Sequence, residues 1–162
     1  NFWRTQMASF TSLPLDYAAE FLRGWPVDGG LEVDYPIATG QTLSLGDLVK
    51  PVVQSGKTHV TKTVVGDITA PAGFGAGIVV RGNGDEKSSA EINKAVVLWG
   101  HYIVRTTKFD TATITAAGVT VVAGTDGKFF PTADAAAPGL GYVLEYKAAV
   151  GSIPAEIIVV VK

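Results

Sequence analysis

The sequence predicts an all-β fold, a small β-sandwich or barrel, with an extended N-terminal arm that contains one short helix. The chain has 21 Val, 9 Ile and 16 Thr against only 10 Leu. β-Branched side chains lose rotamer freedom in helices and pack well on pleated sheets. In addition, 19 Gly and 8 Pro separate short apolar runs, a pattern that is typical of sandwiches and barrels. A chain of 162 residues is long enough to bury a core of its own.

The amino-terminal part differs from the rest in its aromatic content. Residues 15–23 carry the helical pattern, with Asp16 as a possible N-cap and Gly24 as a stop. One short helix is too small to bury the nearby rings, so we expect the segment to dock on another surface. We therefore divide the chain into an arm with a short helix, residues 1–30, and a β-rich domain, residues 31–162. The aromatic residues of the arm are Phe2, Trp3, Phe10, Tyr17, Phe21 and Trp25.

Short β-runs separated by turn residues follow from residue 31 onward. Gln54, Ser55 and Gly56 are predicted to form one hairpin turn, and the run 124–127 another, because its Asp-Gly pair suits the positive φ of tight hairpins. The predicted strands cover residues 31–37, 47–53, 57–65, 76–81, 95–106, 113–122, 128–131, 141–146 and 156–162.

The run KAVVLWGHYIVRT, residues 94–106, is apolar on both faces when alternate residues are compared. We expect such a strand either to be central in a two-sided pack or to hold its second face against a neighbouring subunit. Gly100 is expected to mark a bulge or a close backbone approach. Trp99 becomes a candidate for a subunit interface.

Two glycine-containing stretches resemble nucleotide-binding motifs. The tetrapeptide Ser55-Gly56-Lys57-Thr58 matches the end of a P-loop, but Pro51 replaces the first glycine and a β-branched run follows instead of a helix. The glycine-rich stretch at residues 72–80 also leads into a β-run, where a dinucleotide fingerprint requires a helix. We interpret the first as a hairpin turn and the second as a loop before a strand.

Candidate catalytic and metal-binding residues are few. His59 and His101 lack the spacing that places two imidazoles on one metal. A Ser-His-Asp triad converges only in space and stays open, although no G-x-S-x-G elbow is present. The acidic loop with Asp85, Glu86 and Glu91 lacks EF-hand spacing, so a solvated loop is favoured over a calcium site. Because cysteine is absent, thiolate chemistry is excluded, and we predict no enzyme, no cofactor and no metal.

Charge and hydropathy limit the partners. Charged residues make up 17% of the chain and the net charge is -2, which predicts a partly apolar surface covered by partner subunits, or alternatively an unusually apolar monomer. The 13 basic residues are scattered among 15 acidic ones, so nucleic-acid binding is not expected. Every apolar run is far shorter than the roughly 20 residues that span a bilayer, and no signal segment opens the chain. We therefore expect no membrane partner.

Several segments, taken in their order along the chain, resemble the head decoration, or cement, proteins of tailed bacteriophages. These are GDLVKPVV, GIVVRGNGDEKSS, KAVVLWGHYIVRTTKFD, VVAGTDGKFFP and GYVLEYKAAVGSIPAEIIVVVK. The resemblance covers residues 39–162. It implies a small, β-rich, non-enzymatic protein that attaches as a dimer or trimer to the outer surface of the capsid and reinforces the major capsid protein. No catalytic or metal residue is implied.

The resemblance leaves the aromatic arm to physical reasoning. A segment with six aromatic side chains has enough apolar surface for a standard-size interface. We expect the arm to clamp adjacent capsid or decoration subunits. The alternative function is a carbohydrate- or receptor-binding β-module of a virion or cell surface that uses Trp99, Tyr102 or Tyr142 for stacking. The predicted capsid or subunit interface comprises Phe2, Trp3, Phe10, Tyr17, Phe21, Trp25 and Trp99.

Overall fold

Two antiparallel sheets contain nearly all the regular structure that the computed structural model describes, which covers residues 19–21, 31–64, 76–85, 93–132 and 139–161. The predicted all-β class is confirmed. Among these residues the helical structure is one short 3-10 turn, Thr125–Gly127. The strands are β1 (Ala19–Phe21), β2 (Leu31–Pro36), β3 (Leu48–Gln54), β4 (Lys57–Lys62), β5 (Gly77–Arg81), β6 (Lys94–Trp99), β7 (Tyr102–Thr106), β8 (Thr120–Ala123), β9 (Phe129–Pro131), β10 (Gly141–Lys147) and β11 (Glu156–Val161).

The strands divide into a six-stranded and a five-stranded sheet. Sheet A has the order β1-β7-β11-β10-β8-β9, and sheet B has the order β2-β6-β5-β3-β4. All neighbouring strands in both sheets are antiparallel. The main core lies between the sheets, where Leu48 and Ile78 of sheet B pack with Val104, Phe129 and Val159 of sheet A. All five are almost completely buried, as in a β-sandwich.

The run 94–106 forms two strands instead of the single strand predicted. β6 belongs to sheet B and β7 to sheet A, and the chain changes sheet at Gly100, which has φ 97. A side chain is strained at that φ, so glycine is suited to the crossing. The crossing accounts for the apolar character of both faces, since β7 is buried along its whole length within this chain.

The predicted helix over residues 15–23 is wrong at its described positions. Ala19–Phe21 form strand β1, which pairs with β7 so that Ala19 faces Thr106 and Phe21 faces Val104. The edge of β7 offers backbone hydrogen bonds, and the Phe21 ring meets the Tyr102 ring edge-on with centroids 6.1 Å apart. These tertiary contacts outweigh a weak local helix preference. The other positions of that helix lie outside the described residues.

The predicted strand 113–122 begins later than expected. β8 starts at Thr120, and residues 111–119 form turns and irregular structure. The Ile114 N–H donates to the Asp110 carbonyl at 3.0 Å, and the Thr113 hydroxyl donates to the Asp110 carboxylate. Such local side-chain and backbone bonds compete with a sheet ladder. The sequence pattern predicted too long a strand, because the Thr and Ile residues of this turn also favour strands.

Both predicted hairpin turns are confirmed. Ser55 and Gly56 join β3 to β4 with φ values of 51 and 71, as a type I′ turn requires. The P-loop reading is therefore excluded, because the tetrapeptide belongs to a hairpin. Asp126 and Gly127 have φ values of 58 and 67 between the paired strands β8 and β9.

A buried ion pair joins two central strands of sheet A. The Arg105 side chain of β7 donates from Nε at 3.0 Å and from Nη2 at 2.6 Å to Oε1 of Glu156 in β11. Arg105 is 2% exposed and Glu156 is 4% exposed. The Glu20 carboxylate of β1 lies 3.7 Å from Nη1. One guanidinium thus connects three neighbouring strands.

We predict that Glu156→Gln lowers the free energy of unfolding by about 3 kcal/mol, because it leaves a buried guanidinium short of negative charge. Urea denaturation measures the change. The control is Glu145→Gln on the exposed side of β10, which should change stability by less than about 0.5 kcal/mol. Equal stability of the two variants would contradict the importance of the pair.

Tyr102 has an unsatisfied hydroxyl in the sandwich core. The residue is 2% exposed, and among the described residues its hydroxyl has no hydrogen-bond partner. Burial raises the pKa of Tyr102 well above its ordinary value of 10.0. The native state therefore keeps the neutral phenol where the unfolded chain ionises. Since the native pKa is raised, stability from this group is complete below about pH 10 and is lost as the pH rises further.

We predict that Tyr102→Phe raises the free energy of unfolding by about 1 kcal/mol at pH 8, because it removes a buried hydroxyl without a partner. Between pH 10 and pH 11 the wild type should lose about 1 kcal/mol more than the variant. Denaturation at the three pH values measures both effects. A variant that is less stable than wild type at pH 8 would show that the hydroxyl is satisfied, and equal sensitivity to alkali would show that burial does not raise the pKa of Tyr102.

Candidate functional site

Sheet B curls until its two edge strands almost meet. Ile37, just after β2, forms a parallel bridge with Val60 of β4, and the Ala38 N–H donates to the Val60 carbonyl at 2.9 Å. Among the described residues no other bridge joins β2 to β4. The strands therefore meet at one end and are separate at the other, which leaves an open seam between them.

The concave face of sheet B encloses a second hydrophobic core. Because side chains alternate along each strand, Val49, Val60, Val79 and Val97 point to this face, and all four are completely buried. The opposite faces of the same strands supply the sandwich core. Sheet B is thus apolar on both sides, with a half-closed barrel around its own core. We call the open part of this barrel the apolar cup.

A loop forms the floor of the cup. The side chain of Leu43, between β2 and β3, is completely buried among the valines of the second core. The Leu43 N–H donates to Oδ1 of Asn83 at 2.7 Å, and the Asn83 amide donates to the Gln41 carbonyl at 3.0 Å. The Asp85 carboxylate accepts from the backbone N–H of Leu45 at 3.0 Å and of Gly82 at 2.8 Å.

These bonds decide the interpretation of the acidic loop. The Asp85 oxygens already accept backbone hydrogen bonds, so this residue has a structural role that the sequence pattern did not reveal. Within the part of the chain that the structure describes, no group of three or more His, Asp or Glu side chains is placed to hold a metal ion. Glu86 and Glu91 lie outside the described residues.

The other end of the cup is open. A cavity of about 490 Å³ lies there, between β2, β3, β4 and β6. Its size is within the range of ligand sites, and its lining is almost entirely apolar. Two residues at its rim, Leu31 and Val53, are 62% and 72% exposed. The lining residues are Leu31, Val33, Tyr35, Pro51, Val52, Val53, Thr58 and Trp99.

Trp99 forms one wall of the cup. It is 8% exposed and meets the Tyr35 ring edge-on, with centroids 6.0 Å apart. A Cβ on Gly77 would come within 3.1 Å of the indole and 2.4 Å of the Val97 side chain. The absence of a side chain at Gly77 thus makes room for the ring. Among the described residues the Trp99 Nε1–H has no hydrogen-bond acceptor.

The predicted interface residues are separated by the structure. Trp99 lines the cup, whereas Phe21 packs on Tyr102 of its own chain instead of standing free on an arm. The remaining predicted residues, Phe2, Trp3, Phe10, Tyr17 and Trp25, lie outside the described residues. Sequence reasoning missed the rest of the cup lining. The alternation of Leu31, Val33 and Tyr35 along β2 was the signal that could have identified it.

The other candidate residues do not form a site. His59 donates from Nδ1 to the Lys57 carbonyl at 3.0 Å, and His101 is exposed at the crossing between the sheets. Tyr102 is buried in the core and is therefore unable to stack on a sugar, which corrects that part of the alternative. In the described ranges no helix has the length and apolar character needed to cross a membrane.

We predict that Asp85→Ala lowers the free energy of unfolding by about 2 kcal/mol, because two backbone N–H groups of the cup floor lose their acceptor. Thermal and urea denaturation measure the loss. Asp34→Ala, on the exposed side of β2, is the matched control and should change stability by less than about 0.5 kcal/mol. An unaffected Asp85→Ala variant would mean that Asn83 alone holds the floor.

The chain matches no protein-family model and no curated protein.

Proposed function

We propose that the chain is a structural capsid decoration, or cement, protein. It binds the outer surface of a tailed-phage head and stabilises the head by bridging subunits of the major capsid protein. The observation that carries the proposal is an apolar cup with exposed Leu31 and Val53 at its rim. Exposed apolar surface of this kind marks protein interfaces. The proposed activity requires no catalytic residue, cofactor or metal.

The proposed mechanism is mechanical. A decoration protein that contacts several shell subunits adds its own contacts to those that must break before the shell ruptures, so the barrier to disassembly rises. A protein that reinforces a shell in this way must itself be stiff. Two cores on the two faces of sheet B and the buried pair of Arg105 with Glu156 give the body this property.

The proposed arm is tied to the body through β1. Ala19–Phe21 pair with β7, which itself pairs with β11 in the middle of sheet A. A pull on residues 1–18 would thus reach the sheet through backbone hydrogen bonds and the contact of Phe21 with Tyr102. Joining an arm to a body raises the effective concentration of each contact once the other has formed. In a dimer or trimer, modest contacts then give lasting attachment.

Point substitutions test the proposal better than deletion of residues 1–25, which would remove β1 from sheet A. We predict that the double variant Leu31→Asp, Val53→Asp lowers occupancy on the heads of the phage that encodes the chain by about tenfold or more, because it places charge in an apolar contact. Occupancy is measured by cryo-electron microscopy of undecorated heads after incubation. The control is Val150→Asp, which changes an equally exposed residue outside the cup. Absence of binding by the wild type would end the proposal.

A carbohydrate- or receptor-binding β-module is the second candidate, and the pair of Trp99 and Tyr35 favours it. Aromatic rings do stack on sugars, but a sugar site also needs several polar groups to orient the hydroxyls. Among the described lining residues, Thr58, the Tyr35 hydroxyl and the Trp99 indole N–H are the polar side-chain groups. We therefore rank this function below decoration.

We predict that common mono- and oligosaccharides at millimolar concentration leave the melting temperature unchanged within about 1 °C, because an unbound ligand does not stabilise the native state. A thermal shift series with a glycan array measures this. A shift that Trp99→Ala abolishes would reverse the ranking of the two functions.

A further inference from the structure

We propose that the open seam of sheet B receives the aromatic arm, residues 1–18, of a second copy of this chain. The two copies are thereby linked head to tail. This inference rests on the proposed function, which assigns residues 1–18 to an arm. It deepens that function by naming the surface on which the arm docks. It does not depend on the capsid being the other partner.

The seam has the geometry of an unfilled strand position. β2 and β4 are the edges of sheet B, and the bridge between Ile37 and Val60 holds them together at one end. Toward Leu31 and Thr58 the strands separate around the cavity of about 490 Å³. An extended segment placed there would pair with an edge that has no strand partner among the described residues, and would put alternate side chains into the cup, as in β-strand addition.

The chemistry of the arm fits the cup. Residues 1–18 carry Phe2, Trp3, Phe10 and Tyr17, and the cavity lining is apolar apart from Thr58. The buried indole N–H of Trp99 has no acceptor among the described residues, and a segment with exposed backbone carbonyls supplies acceptors. The net charge of residues 1–18 is close to neutral, with Arg4 and Asp16 as the charged side chains. Docking therefore desolvates little charge.

The direction of β1 favours a second copy over the same chain. Phe21 lies against Tyr102, which follows Trp99 by three residues and is therefore near the mouth of the cup. Ala19 pairs with Thr106 at the other end of β7, and its Cβ lies beside Gly46. The chain therefore enters β1, at Ala19, at the end away from the mouth of its own cup. An arm of 18 extended residues spans about 60 Å, so it reaches a neighbouring copy without turning back over its own body.

Such an interface is heterologous, since an arm on one copy meets a cup on the next. Heterologous contacts produce a ring when the rotation between copies closes and a filament when it does not. A closed ring fills every cup with an arm, so the ring binds the capsid through the avidity of its several copies, and loss of the ring lowers occupancy as well. The dimer or trimer expected from the sequence is the closed form.

The test uses full-length chains and sedimentation velocity. The cup variant is Leu31→Asp, Val53→Asp, and the arm variant is Phe2→Ser, Trp3→Ser. Val150→Asp is the matched surface control, since Val150 is 64% exposed and lies outside the cup. Far-UV circular dichroism and the urea midpoint verify that each variant is folded.

The wild type and the control are expected to form one closed oligomer. Each double variant should be monomeric, with self-association weakened by more than about tenfold, because each lacks one half of every contact. A 1:1 mixture of the two variants is the decisive sample. In this mixture one contact remains intact, because the arm of the cup variant can still bind the cup of the arm variant. The mixture should therefore form a dimer and no larger species.

Other results overturn the inference. A monomeric wild type, or variants that keep the wild-type mass, would show that the arm and the cup do not join copies. A mixture that stays monomeric while the wild type associates would show that the arm and the cup are not the two halves of one contact. Occupancy on heads is scored separately. An oligomer that never decorates heads refutes the capsid proposal alone, and a cup variant that loses the oligomer but still decorates heads supports the inference and refutes the predicted loss of occupancy.

Discussion

The crossing of the chain between the two sheets at Gly100 is the constraint on which the rest of the structure depends. It places Trp99 at the end of sheet B and Tyr102 at the start of sheet A within one short connection. The tryptophan then lines the apolar cup, and the tyrosine packs in the sandwich core. A continuous strand would have put both rings in the same sheet. The separation of an open cup from a closed core follows from this one change of direction.

The polar side chains of the body are concentrated where strands end or cross. Asp47 accepts hydrogen bonds from Lys108 at 2.6 Å and from the Ser44 N–H at 2.7 Å. Together with Asn83 and Asp85, it holds the connections on the floor side of sheet B. The mouth has no such network in its described lining. Because hydrogen-bonded connections resist opening, the floor is rigid and the mouth is the surface available to a partner.

This division fits the proposed role in assembly. The described lining of the cavity consists mainly of aliphatic and aromatic side chains, which favour contact with another apolar surface. Among the described residues the buried charged side chains are paired, Arg105 with Glu156 inside sheet A and Asp47 with Lys108. An apolar mouth on a stiff body offers affinity through burial and specificity through shape. Both properties are what a protein needs when it joins copies of itself or of a shell.

The sequence by itself determined the β class, most strand positions and both hairpin turns. These depend on local physics, such as the rotamer preference of valine or the positive φ at Ser55, Gly56 and Asp126. Tertiary structure decided what local physics leaves open. Ala19–Phe21 became a strand because β7 offered an edge for pairing, and Thr113 and Ile114 became part of a turn because Asp110 binds them. The cup depends on how far sheet B curls, which is set by contacts between distant strands that no local pattern records.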